Sequence, residues 1–432
     1  MGPSGEEIAD RAEQTPGTAT FGRNRLSPLG FVLAFGVVSM LGDFVYEGAR
    51  SIVGPYLATL GASATAVGVV TGAGEAVALV LRLFTGRLSD RTGRHWLLSI
   101  VGYLITLVSV PLLGATQTLG QAYPLVISER FGKAVRTPAR DTMLAQAAVS
   151  VGSGRAFALH EAMDQSGALL GPLLVAGLVA LSGFRLGFAV LAAPSVLGVV
   201  ALARLRLAAP EPSAYAPRAV AHARAASAGD DRFSREFWLY AAFTALTMAG
   251  FATFGVLSYH LQVKHVVGEA LIPVAYAVAM GAAALAALAS GRVYDRVGLR
   301  GLVVLPLLAG AVPFLSFSRT QALVWVGALV WGAAMGLHES TMRAAVADLV
   351  PAGRRGAGYG TFTAVYGLAW LAGAAAIGAL YGYAIGDAEW FVVGLQAAAL
   401  VVFVIFVGGR SKPCPATTRT TGASPGTASR SR

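Results

Sequence analysis

The stretch "GRLSDRTGR", Gly86–Arg94, follows the apolar run "VALVLRLF" and sets four charges and two glycines in a row. A close copy, "GRVYDRVGLR", spans Gly291–Arg300. Gly86, Arg87, Asp90, Arg91 and Gly93 find the same residue types at Gly291, Arg292, Asp295, Arg296 and Gly298. A compact basic signal that occurs twice in one hydrophobic chain points to a duplicated unit.

The chain around these segments is unusually apolar. Of its 432 residues 55% are hydrophobic and only 13% charged, and its mean hydropathy is +0.64. Soluble domains carry about a quarter charged residues, so a bilayer is the expected solvent. Uncharged runs such as "LLSIVGYLITLVSVPLLGA" and "FVVGLQAAALVVFVIFVGG" match the roughly 20 apolar residues that a membrane helix needs. Twelve spans are predicted: 28–58, 64–86, 95–115, 119–146, 156–182 and 186–206, then 237–262, 269–290, 299–317, 321–345, 356–382 and 387–408. The class is an all-α membrane protein of twelve transmembrane helices in two pseudo-symmetric six-helix bundles.

The expected units are an N-terminal tail (1–27), a first bundle (28–206), a linker (207–236), a second bundle (237–408) and a disordered tail (409–432). The linker is rich in Pro, Ala and charge, the composition of a connecting segment. Both copies of the basic segment fall between the second and third span of their half, the weak internal symmetry expected of repeat-built transporters.

The net charge of +11 is a matter of topology and implies no nucleic-acid partner. Arg87, Arg91, Arg94, Arg155, Arg204, Arg206, Arg292, Arg296, Arg300, Arg354 and Arg355 fall on one side of the predicted spans. Only Arg185, Lys264 and Arg319 fall in the opposite loops. By the positive-inside bias both termini are expected in the cytoplasm, with the chain in the cell inner membrane. The single cysteine, Cys414, allows no intrachain disulfide and no cysteine metal site. No metal or cofactor is expected. No Walker A segment, H-E-x-x-H or convincing G-x-S-x-G setting is present, so an enzyme is not expected.

The layout and "GRLSDRTGR" resemble the major facilitator superfamily, whose signature between helices 2 and 3 is G-x-L-a-D-r-x-G-r. "GALLGPLLVAG" in span 5 resembles the superfamily's antiporter motif at Gly167, Gly171 and Pro172, without the usual glycine pair after the proline. "SERFGKAVRTPARD" lies where the drug:proton antiporter branch keeps a helix 4 arginine, matched by Arg130. The resemblance implies a carrier working by alternating access. It also implies a latch on the cytoplasmic side, made by Gly86, Asp90, Arg91, Gly93 and Arg94. Gly86 would permit close approach to a neighbouring helix. Asp90 would accept hydrogen bonds from a helix N-terminus, where an anion is favoured; the resemblance makes that helix 11, beginning near Gly356.

Candidate transport residues lie on helical stripes. Asp43, Glu47 and Arg50 of span 1 are spaced i, i+4, i+7, so they share about 60° of arc. Two acids facing one base suit proton coupling, and the rival reading is a static ion-pair cluster. In span 4, Glu129, Lys133, Arg136 and Arg140 share a stripe and Arg130 an adjacent face. Arg140 is expected at the cytoplasmic surface, where it and Arg136 could snorkel to headgroups. Asp164 of span 5 lies about 13 Å along the helix from Arg155, with His160, Gly167 and Gly171 on the same face. Glu75 could reach Arg82, and Glu339 pairs with Arg343 at i+4. Spans 3, 6, 9 and 12 keep charge out of their interiors and are expected to face lipid. Span 11 carries Tyr359, Phe362, Tyr366 and Trp370 on one stripe, of which Tyr366 and Trp370 could face an organic substrate.

The expected function is secondary active transport of a small organic compound, with protons as coupling ion and efflux as direction, by a monomer. Uptake symport of an organic anion and a non-transporting receptor on the same scaffold stay open.

Overall fold

The computed structural model describes residues 24–215, 233–350 and 355–410. The side chains of residues 153, 291, 292, 295, 342–344, 347, 355, 356, 409 and 410 are excepted. The expected tails and most of the linker therefore lie outside the described residues. So do the side chains of Asp295 and Arg343, and with them the expected Glu339–Arg343 pair.

Among the described residues the chain is helical, without strands. The first half comprises α1 (Pro28–Thr59), α2 (Ala64–Thr92), α3 (His95–Leu113), α4 (Leu119–Val151), α5 (Ser153–Val190) and α6 (Ala192–Ala208). The second comprises α7 (Arg235–Ala249), α8 (Phe254–Val263), α9 (Leu271–Val297), α10 (Val304–Ser316), α11 (Gln321–Leu349), α12 (Arg355–Tyr383) and α13 (Ile385–Arg410). Local chemistry sets several starts. Ser27, Ser63, Ser234 and Thr253 each accept a backbone N–H of the first turn, satisfying a donor that the helix itself leaves free.

Among the described residues ten stretches are long and apolar enough to cross a membrane. One of them, Gly154–Ala208, has 55 residues, enough for two crossings at roughly 20 residues each. The chain reverses within it at Ser182 and Gly183, where Gly183 takes φ 75°, a conformation open to glycine. The strongly ionic α4 supplies the twelfth crossing. The seventh predicted span is divided: α7 and α8 are separate helices, broken at Gly250–Thr253. Broken helices in transporters expose backbone groups inside the bundle. Here indole N–H groups cover them, Trp370 donating to the Phe251 carbonyl and Trp331 to the Ala252 carbonyl, each at 2.9 Å.

Within the first half α1 packs on α5 and α6, and α4 on α3 and α2. In the second, α11 packs on α9 and α10, and α13 on α7 and α10. Large apolar side chains of α3, α6, α10 and α13 are exposed, among them Val108, Leu197, Leu307 and Val404. These are the helices expected to face lipid.

The halves meet along α2 and α12, α1 and α8, and α5 and α9. We call the face carrying Arg87, Arg91 and Arg94 the basic face, and its opposite the far face. The far face is closed. A Cβ at Gly54 would fall on the Gly255 carbonyl, one at Gly68 on the Ala374 carbonyl, and Thr71 and Thr253 share a 2.9 Å hydrogen bond.

The basic segment is a helix end and not a loop. α2 continues to Thr92, and Gly93 ends it at φ 63°. Gly86 therefore sits inside the helix, and a Cβ there would meet Pro138 at an ordinary 3.8 Å. With the far face closed, Gly86 makes no close approach to a neighbouring helix. Asp90, Arg91, Gly93 and Arg94 are exposed.

Candidate functional site

The charges predicted on α1, α4 and α5 converge in the first half, in two adjoining clusters. Buried charges are costly unless paired, and nearly every one here is paired.

The first cluster centres on Glu75 of α2, 8% exposed. Its Oε1 lies 2.8 Å from Arg50 Nη2 and 3.1 Å from Arg130 Nη1. Arg130 Nε also lies 3.1 Å from Glu129 Oε2. Gly74 leaves room for the Arg130 stem, since a Cβ there would meet its Cγ. The expected Glu75–Arg82 pairing is thus replaced by contacts from two other helices, which reach Glu75 more directly than a residue two turns along. Arg50, expected to serve Asp43 or Glu47, goes to Glu75 and reaches Glu47 only at 3.7 Å. Glu47 instead accepts a hydrogen bond from the Tyr276 hydroxyl of α9, across the boundary between the halves. Tyr46, Arg50, Glu75, Glu129, Arg130 and Thr253 line a cavity of ≈ 20 Å³, room for about one water.

The second cluster holds Asp43, Arg136, Arg140, Asp141, Asp164 and His160. Arg136 Nη2 lies 3.3 Å from Asp43 Oδ1, and its guanidinium stands 4.6 Å over the Tyr103 ring. At 1% exposure Arg136 does not snorkel. Arg140 is not at the surface either. It bridges Asp141 at 3.0 Å and Asp164 at 3.3 Å, because α4 and α5 bring those carboxylates to it. His160 Nε2 lies 3.5 Å from Asp164 Oδ2. Lys133 stands between the clusters, its Nζ 3.6 Å over the Tyr46 ring.

Glycines of the span 5 motif set this geometry. A Cβ at Gly167 would fall on the Met40 carbonyl and one at Gly171 on the Phe44 carbonyl. Only glycine lets α5 lie this close to α1, as small residues do in membrane helix pairs.

The aromatic stripe of α12 is mostly packing. Phe362 stacks on Tyr240 at 5.1 Å. Trp370, 1% exposed, spends its N–H on the α7–α8 break. Tyr366 is also buried, against His338 at 4.9 Å.

The Major Facilitator Superfamily pattern matches residues 32–374 and 263–427. The chain belongs to that superfamily. An uncharacterized protein of Mycobacterium tuberculosis is 48% identical over 404 residues, 93% of this chain and 97% of the relative. An uncharacterized MFS-type transporter of Methanocaldococcus jannaschii is 24% identical over 345 residues, 78% of this chain and 85% of the relative. Among solved structures, the nucleoside transporter NupG aligns with TM-score 0.66 at 16% identity, over 89% of this chain and 100% of the other. A peptide transporter POT in complex with sulfate aligns with TM-score 0.69 at 15% identity, over 94% and 98%. At such identity the likeness is one of fold. The superfamily member described here is a multi-pass membrane protein, a secondary transporter working by alternating access.

Sequence reasoning placed Asp43, Glu47, Arg50, Glu129, Arg130, Lys133 and Asp164 on stripes, and the fold brings those stripes together. It missed Tyr276, Tyr46, Tyr103 and His338. A single tyrosine in the apolar "LIPVAYAVAMGAAALAALAS" carries no periodic signal that would have found it.

Proposed function

We propose that this transporter couples the movement of a small organic compound to protons and exports it across the cell inner membrane, with both termini in the cytoplasm. The observation that carries the reading is the position of Glu47. Its own arginine is held by Glu75, and its hydrogen bond comes from Tyr276 of the opposite half. A carboxylate so placed links its proton to the closure of the far face. Asp43 and Asp164, each on an arginine of α4, are the reserve sites. Intramembrane acids facing a bundle interior mark ion or substrate pathways. The solved relatives named for nucleosides and peptides support a small organic cargo. The antiporter-like motif supports the drug:proton branch and the outward direction. The bundles 28–206 and 237–408 move about the linker 207–236, and the monomer is the working unit.

The test uses purified protein in proteoliposomes and in weakly buffered detergent. Glu47→Gln should abolish pH-gradient-driven uphill flux and ligand-induced proton exchange, while downhill exchange persists. If Glu47→Gln and Asp43→Asn both keep wild-type proton stoichiometry and driven flux, the coupling reading fails at these residues and Asp164 is next. Lys133, free of any ion pair among the described residues, favours a second reading, uptake of an organic anion. Everted against right-side-out vesicles separate the two directions.

A further inference from the structure

We propose that His260 is a pH-sensitive fastener of the far face: it ties together the two second-half helices that close that face, and uptake of a proton releases them. This rests on the transport reading only for the opening and closing of the face. His260 itself belongs to neither ionic cluster.

α8 and α12 supply the second half's share of the far-face seam. The start of α8 brings Thr253 to Thr71 and Gly255 to Gly54. α12 brings Ala374 to Gly68, and a Cβ at Gly378 would fall on the Ala64 carbonyl of α2. Just beyond these contacts His260 of α8 meets Tyr381 of α12, Nδ1 to hydroxyl, at 2.8 Å. Its Nε2 lies 3.3 Å from the Ser318 carbonyl in the α10–α11 turn. The imidazole is 0% exposed. Phe317 packs on both rings, 5.5 Å from His260 and 5.3 Å from Tyr381. One side chain thus joins three elements.

These partners fix the tautomer. A carbonyl only accepts, so Nε2 carries the hydrogen; Nδ1 of the neutral ring is then bare and accepts from the Tyr381 hydroxyl. A proton added at Nδ1 makes it a donor and faces it with a second donor. The hydroxyl must turn away, and a buried cation stands without a carboxylate, which is costly.

The surrounding charges do not relieve it. Lys264 donates its backbone N–H to the His260 carbonyl at 2.9 Å, and Arg319 directly follows Ser318. The α8–α9 turn adds His265 and one acid, Glu269, which is held by Gln262 at 2.8 Å. The far-face halves of α9, α11 and α12 (271–284, 321–335 and 370–383) and all of α10 carry no charged residue. Glu47, Arg50 and Glu75 of α1 and α2 lie deeper and are already partnered. The neutral ring therefore fits the closed face, whereas a histidine in water takes up a proton near pH 6.5. A proton that binds only the open form shifts the equilibrium toward it. Closure is thus full above that pH and weakens as pH falls. In the proposed topology the far face is external, so His260 reads acidity outside the cell.

The experiment follows labelling of Ser258→Cys, buried in the closed state, by a membrane-impermeant maleimide in a Cys414→Ala background. The protein is in detergent, with no cargo and no gradient. Rates are divided by those of Gln117→Cys, an exposed position on the same face, which removes the pH dependence of the thiol itself. Normalised labelling should rise about fivefold or more between about pH 7.5 and about pH 5.5. His260→Gln keeps one donor and one acceptor without a titrating ring, and it should make labelling independent of pH. Glu47→Gln should keep the rise, which separates this outcome from failure of the coupling reading. Tyr381→Phe should speed labelling already at about pH 7.5, and this variant decides alone if His260→Gln does not fold. A flat wild-type profile, a rise that survives His260→Gln, a rise lost in Glu47→Gln, or wild-type labelling of Tyr381→Phe overturns the assignment.

Discussion

Tyr276 of α9 donates its hydroxyl proton to Glu47 of α1, so one hydrogen bond joins a buried acid of the first half to the second. Hydrogen bonds to charged groups contribute about 1.5–3 kcal/mol. Tyr276→Phe should therefore loosen the far face. In a Cys414→Ala background, Ser258→Cys, buried beside Gly54 in the closed state, reports the change through a membrane-impermeant maleimide. Labelling should accelerate by about tenfold or more, since 1.4 kcal/mol is a factor of ten. Unchanged labelling would show that the bond does not contribute to closure.

Glu75 holds Arg50 and Arg130 together, so its amide should be poorly tolerated. Breaking a buried ion pair on one side costs about 3–5 kcal/mol, because the remaining charge is left uncompensated. Glu75→Gln should lower the thermal midpoint of the detergent-solubilised protein far more than Glu161→Gln, a change at an exposed acid. Equal midpoints for the two variants would remove Glu75 from the centre of the network.

The α1–α5 contact predicts a contrast between two glycines of one helix. Gly171→Ala drives a methyl group onto the Phe44 carbonyl, and overpacking costs about 1–3 kcal/mol. Gly177 has nothing within 4 Å of a built Cβ. Gly177→Ala should be neutral or stabilising by up to about 1 kcal/mol, the difference in helix propensity. Thermal midpoints of the two variants check both signs.

Asp90 is exposed and makes no hydrogen bond or ion pair among the described residues while the far face is closed. Asp90→Asn should leave the stability of this state within about 0.5 kcal/mol of wild type, as surface changes do. If Asp90 meets the N-terminus of α12 when the basic face closes, losing the charge removes about 0.3–1 kcal/mol there. Transport should then slow about two- to fivefold. Wild-type flux from a normally inserted variant would sink the latch.

The stripes of α1, α4 and α5 were legible because helical periodicity and the cost of charge in a bilayer both act locally. Asp43 and Glu47, or Lys133 and Arg136, had to share a face once the spans were helices. Partner choice was not legible. Arg50 had several acids to choose from, and only the packing of α2 against α1 and α4 gave it to Glu75. The same holds for Arg140, drawn to Asp164 by the α4–α5 approach when its sequence position suggested the surface.

Hydropathy, the one-sided arginines and the twinned "GRLSDRTGR" and "GRVYDRVGLR" segments pointed by themselves to a duplicated twelve-helix membrane protein, and the resemblance of the first segment to the superfamily signature added the carrier. Each depends on residues near one another in the chain and on a solvent that penalises charge everywhere alike. The break between α7 and α8, the two tryptophans that cover its carbonyls, and the Tyr276–Glu47 bond belong to the tertiary structure. They join residues far apart in sequence, and a hydroxyl or indole N–H in an apolar run shows no preference for a partner until packing supplies one.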